Sequence, residues 1–206
     1  MALRVASAAM VALMTAAAAP LLAIAQSDSA AASSEQIETG RVRMKSGAEV
    51  VYRIRLLPLT SFPSLPPAVA EQLEQRKCRV PQTYQARAPE NVVHASLERK
   101  GSSDWAVLCS VNGATTLYAF FQSQPGSPIL LRQQRDTEWL GSEMLGAYGS
   151  AWGITRRSPS QVRQAKESGS KHIDADHDGI EDSFIEKSAT THYFQDGSWI
   201  TLENSN

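Results

Sequence analysis

The stretch "NVVHASLERKGSSDWAVLCSVNGATTLYAFF", residues 91–121, decides the fold class. It reads as strand, polar loop, strand, an Asn112-Gly113 turn and a third strand, because Asn-Gly readily takes the two left-handed conformations of a tight hairpin. Toward the N-terminus, "GRVRMKSGAEVVYRIRLLPL" alternates in the same way. Val42 and Met44 share one face, and Val50, Tyr52, Ile54 and Leu56 share one face after a Ser46-Gly47 turn, which predicts a hairpin. Pro58, Pro63, Pro66 and Pro67 then interrupt regular structure. "PPAVAEQLEQRKC" carries Val69, Leu73 and Lys77 at helical spacing behind proline, so a short helix ending near Cys78 is expected.

Toward the C-terminus, "SPILLRQQRD" predicts a further strand, and "EWLGSEMLGAYGSAWGITRR" is strand-like from Ala151 to Arg156, with its first half open between states. Ser158-Pro159 has the order of a helix start. A strand through Ile185, another through Tyr193, an Asp196-Gly197 turn and a last strand from Ser198 to Leu202 complete the chain. The expected fold is mainly β, of the α+β kind: antiparallel hairpins with two short helices.

Residues 1–25 have Arg4 as their only charge, then a run of Ala, Val, Leu and Met, and an Ala23-Ile24-Ala25 site. This is the pattern of a secretory signal peptide, cleaved after Ala25. Residues 26–36, small and polar, are expected to be a disordered leader. Residues 37–206 form one β-rich domain in this reading, with no transmembrane segment after cleavage and a periplasmic or secreted location. The 206-residue chain has a net charge of −1, so nothing in its overall charge steers it toward nucleic acid or an anionic membrane. Cys78 and Cys109 are the only two cysteines, and an isolated pair in an exported domain predicts a disulfide. The rival reading, a nucleophilic Cys109 served by His94 or His192, lacks any signal for a thiolate-stabilising neighbourhood.

"HIDADHDGIEDSF", residues 172–184, places four aspartates around Gly179. The D-x-D-x-D-G spacing turns alternate carboxylates toward one hard cation, with glycine at the sharp bend. Calcium is therefore expected over residues 174–186, held by Asp174, Asp176, Asp178, the carbonyl of Ile180, and Asp182. Position twelve is Ile185 rather than a bidentate glutamate, which sets the expected affinity on the order of 10⁻⁴ to 10⁻³ M. Without a cation, carboxylates this close repel one another, raising their pKa values or opening the loop. Zinc on His172 and His177 lacks converging ligands at zinc spacing, and His177 is expected to be exposed.

Aligning Gly179 and Asp182 with Gly101 and Asp104 yields an internal repeat in which His172 falls on His94 and Asp176 on Glu98. The first copy has Ser96, Glu98 and Lys100 where the second has Asp174, Asp176 and Asp178. A lysine among the acids predicts that the first loop keeps its shape without metal. On these residues the sequence resembles the FG-GAP and VCBS type of calcium-loop repeat, with "NVVHASLERKGSSDWAVL" similar to a copy that has lost its ligands and "KHIDADHDGIEDSFIEK" to one that has kept them. The resemblance implies propeller-blade-like sheets that do not close a propeller at this length. The whole chain also looks like exported bacterial proteins that join a "DWAVLCS" segment to a "DHDGIEDSF" loop.

Arg41, Arg43 and Lys45, with Arg53 and Arg55, alternate along the first hairpin opposite its apolar positions. They form a basic strip suited to an acidic polymer or a lipid headgroup, or simply a solvated face that blunts a sheet edge. Trp105, Trp139, Trp152 and Trp199 are read as packing residues. No nucleophile elbow, zinc-hydrolase helix, phosphate loop or dinucleotide fingerprint is present; Ser150 in "AYGSAWG" lacks the glycine two residues before it. The expected function is that of an exported, non-catalytic module with one structural calcium site, binding a protein or an envelope polymer. The alternative is a secreted hydrolase using an acid pair near Glu138 and Glu143.

Overall fold

In a computed structural model, residues 34–142, 146–165 and 173–203 are described. The proposed signal peptide, most of the leader, Glu143 and His172 lie outside them. Among the described residues, thirteen strands form three sheets, accompanied by two short α-helices.

The stretch 91–121 folds as the alternation predicts. β4 (Val92–Ala95), β5 (Asp104–Val111), β6 (Ala114–Phe120) and β7 (Ile129–Arg135) form an antiparallel meander in sequence order. Asn112 and Gly113 take φ values of 52° and 78°, both left-handed, as the tight β5–β6 turn requires. β5 is buried along nearly all of "DWAVLCSV" because both faces of this sheet are covered. Trp105, Val107 and Cys109 pack under α1 (Pro67–Gln75), with Val69 and Leu73. Ala106 and Leu108 pack the other way, with Leu117, Trp152, Ile154 and Ile180.

A second meander of the same order is made by β10 (Trp152–Arg157), β11 (Gly179–Phe184), β12 (Ser188–Gln195) and β13 (Ser198–Glu203). Asp196 and Gly197 at its last turn have φ values of 52° and 79°. α2 (Pro159–Gln164) follows β10 with the side chains of Ser158 and Gln161 forming a capping box. Its Val162 packs with Ile173, Ala175, Tyr193 and Leu202. The mainly β, antiparallel expectation with two short helices holds, and among the described residues the sheets do not close into a propeller or a barrel.

The remaining sheet has the order β1-β2-β9-β8, where β1 is Gln36–Arg43, β2 Glu49–Leu57, β8 Leu140–Ser142 and β9 Tyr148–Ser150. β3 (Val80–Gln82) also pairs with β2. β9 meets β2 in parallel, Tyr52 opposite Tyr148, so the segment left open by the sequence supplies two short strands. The leader expectation ends early: Gln36 already belongs to β1, Glu35 binds Arg55 at 2.9 Å, and the Ser34 carbonyl accepts from Arg79. Cys78 and Cys109 are joined in a disulfide with Cα atoms 5.3 Å apart. It ties the segment after α1 to β5, and closing a loop of this size stabilises the fold by roughly 3–4 kcal/mol on the chain-entropy account.

Candidate functional site

Asp182 sits within β11 with its side chain fully buried. Its Oδ1 accepts from the Trp152 indole N–H at 2.6 Å, and its Oδ2 from Arg132 Nη1 at 3.1 Å and His192 Nε2 at 3.0 Å. Those donors stand on β10, β7 and β12, so one carboxylate fastens both meanders together. Asp178 fastens them a second time. Its Oδ2 accepts from the Ser96 N–H at 3.0 Å and from Arg156 Nε at 3.0 Å, while its own N–H donates to the Ser96 carbonyl at 2.9 Å. Ser96 belongs to the loop after β4, so the acidic loop grips the very loop with which it aligns in sequence.

The other predicted ligands are placed differently. Asp174 and Asp176 face solvent, and Ile180 is a fully buried strand residue set between Arg156 and His192 in the ladder. The Asp176 carboxylate takes a 2.6 Å bond from His177 Nδ1, and that bond holds its pKa below the usual carboxylate range. His177 is buried rather than exposed, stacked on Tyr193 with Nε2 2.9 Å from the Phe194 carbonyl. Among the described residues no three His, Cys, Asp or Glu side chains gather as a metal would require. Two arginines and two histidines stand against these acids instead: Arg132 and His192 on Asp182, Arg156 on Asp178 and His177 on Asp176.

Gly179 departs from its expected role as well. It is the first residue of β11 and does not take a left-handed φ. A Cβ there would lie 3.0 Å from the His192 carbonyl and from a Thr191 methyl, so glycine serves close packing. Gly101, its partner in the repeat, has φ 80° and open space around it, so there glycine serves a turn.

The first loop holds together through Asp104, which is buried and accepts from the N–H groups of Leu97 (2.7 Å), Glu98 (2.8 Å) and Gln122 (2.7 Å) and from the Ser102 hydroxyl. Backbone donors, not Lys100, satisfy this acid. Lys100 stays exposed, and its charge is one of the lesser causes lowering Asp176. Sequence reading also missed Asp136, a buried carboxylate held by the hydroxyls of Ser110 and Thr115 (2.7 Å to the latter). Burial, then the charge of Asp136, raises the pKa of Glu38 on β1, against a 3.2 Å bond from the Tyr52 hydroxyl.

The basic strip lies on β1 and β2. Residues directly opposite in an antiparallel pair share a face, and the register sets Arg43 against Glu49, Arg41 against Val51, Thr39 against Arg53 and Ile37 against Arg55. Arg41, Arg43 and Arg53 are exposed, as is Lys45 just past β1; Arg55 is half-buried, bound to Glu35 and the Ala86 carbonyl. The opposite face, with Val42, Tyr52 and Ile54, packs on Leu140 and Tyr148. A cavity of about 310 Å³ opens elsewhere, beside the disulfide, lined by Arg76, Cys109, Val111, Thr116, Tyr118 and Gln133. The four tryptophans pack as expected, Trp105 beneath α1 and the others around the contact of the two meanders.

Compared with family models, curated proteins and solved structures, the chain matches none. No described helix is long and apolar enough to cross a membrane.

Proposed function

We propose that the protein is an exported, non-catalytic binding module whose acidic loop is an inter-sheet fastener. The observation that carries this reading is the fate of its buried carboxylates. Asp104, Asp136, Asp178 and Asp182 each accept at least two bonds from protein donors, so their oxygens are committed to holding strands and loops together. The hydrolase alternative has less support, since Glu138 is exposed at the end of a turn and Glu143 lies outside the described residues. Export in this reading rests on the first 25 residues, and the Cys78–Cys109 disulfide is compatible with it.

Two measurements test the reading. Intact mass of the protein from its host should show a chain beginning at Gln26, with a gain of two hydrogens on reduction; full-length, unoxidised material would end the export proposal. Thermal unfolding in chelator and in millimolar calcium should give the same midpoint, with Arg132→Met lowering both equally.

The specific observation favouring a second reading, weak calcium binding, is the D-x-D-x-D-G-x-x-D spacing together with two solvent-facing carboxylates at its head, Asp174 and Asp176. The likeness to FG-GAP and VCBS loops belongs to it. A midpoint raised by calcium in the parent and unchanged in Asp176→Ala would select this reading by mass action.

A further inference from the structure

Charge is unevenly distributed in this molecule. The chain as a whole carries −1, yet residues 36–57 contain five cationic side chains and two acidic ones. Register then places four of the cations in four successive rows of one solvent face: Arg43, Arg41, Arg53 and Arg55. Rows on one face are about 6.8 Å apart, so a guanidinium recurs at that interval over roughly 20 Å. Lys45 extends the line past β1. The two nearest acids do little to cancel it. Glu49 meets Arg41 at 3.3 Å with both side chains more than half exposed, a contact of small net worth, and Glu35 holds Arg55 at the inner end. Glu38 faces the other side, bonded by the Tyr52 hydroxyl. Val51, 50% exposed, lies beside Arg41.

We propose that this face binds a linear polyanion, a polymer with phosphate or carboxylate groups along its length, laid across the rows from Lys45 toward Arg53. The inference rests on the binding-module reading above and names its partner class. A guanidinium takes phosphate or carboxylate in a two-pronged bond, but one such bond at an exposed site is weak. A polymer that meets several in line converts the later contacts into intramolecular ones and gains affinity without new chemistry. A free anion has no such advantage. An anionic lipid surface is the less favoured occupant, because the strip offers one exposed aliphatic side chain and no aromatic residue for insertion.

The test uses the mature protein, long-chain inorganic polyphosphate and polygalacturonate as probes, and calorimetry or anisotropy as readout. At low salt at least one polymer should bind, orthophosphate at equal phosphate concentration should not compete, and affinity should fall steeply with added salt. Which polymer binds tells phosphate from carboxylate. The triple variant Arg41→Gln, Arg43→Gln, Arg53→Gln should lose at least about tenfold in affinity with a shallower salt slope, and its unchanged melting midpoint would show that it folds. Removing the same charge elsewhere, by Lys77→Gln, Arg87→Gln and Arg135→Gln, should change affinity by no more than about twofold. Equal losses in the two variants, binding of neither polymer, or binding only to phosphatidylglycerol vesicles would overturn the proposal. If the polymers fail while the mass still begins at Gln26, the module reading stands and only its partner is wrong.

Discussion

Asp182 shows how a motif can be legible in sequence while its partner is not. Its acidic spacing is plain, but Arg132 and His192 reach it from other strands, and no local pattern announces such a pair. Arg156 was nearer to hand, since it opposes Ile180 in the ladder and so stands beside Asp178 once β10 and β11 are paired. Removing one member of a buried ion pair leaves the other unbalanced. Asp182→Asn should therefore cost about 2–4 kcal/mol, a fall of roughly 5–15 °C in melting temperature, whereas Asp174→Asn, on an exposed side chain, should leave the midpoint within about 1 °C. Glu38 behaves in the opposite sense. The folded protein holds its proton more tightly than the unfolded chain, so this residue favours the fold at acid pH, and the advantage is lost as pH rises through the raised folded value. Glu38→Gln should melt higher than the parent at pH 7, by about one to three degrees, with the two curves meeting below about pH 4.

Elements governed by their own residues were readable. The Asn112-Gly113 and Asp196-Gly197 turns, the first hairpin and both helices follow from local chemistry and stand where they were expected. β3, β8 and β9 were not, because strands of three residues carry too little alternation and exist only through pairing with distant neighbours. The internal repeat also reads differently at this scale. Both copies lie in four-stranded meanders, yet Asp104 opens β5 whereas Asp182 lies inside β11, so aligned residues occupy different strand positions. Gly179 provides the test. Gly179→Ala forces a Cβ toward the His192 carbonyl and should cost about 1–3 kcal/mol, measured by urea unfolding. A loss confined to calcium-loaded protein would instead return this glycine to a metal loop.

Across the whole molecule, the disulfide and the buried carboxylates divide the labour of holding sheets together. The bridge joins the α1 segment to β5, and Asp178 and Asp182 join the two meanders. Reduction should therefore lower the melting temperature by about 10 °C while leaving one cooperative transition, as read by calorimetry. The parallel contact of β9 with β2 has a further consequence for the order of assembly. Translation delivers β1, β2 and the three-residue β3 first, yet β8 and β9, which complete their sheet, arrive only after the entire first meander. A lone two-stranded ribbon is barely stable in water. During synthesis, the arginine-bearing hairpin must wait, half-made, for residues 140–150 to reach it.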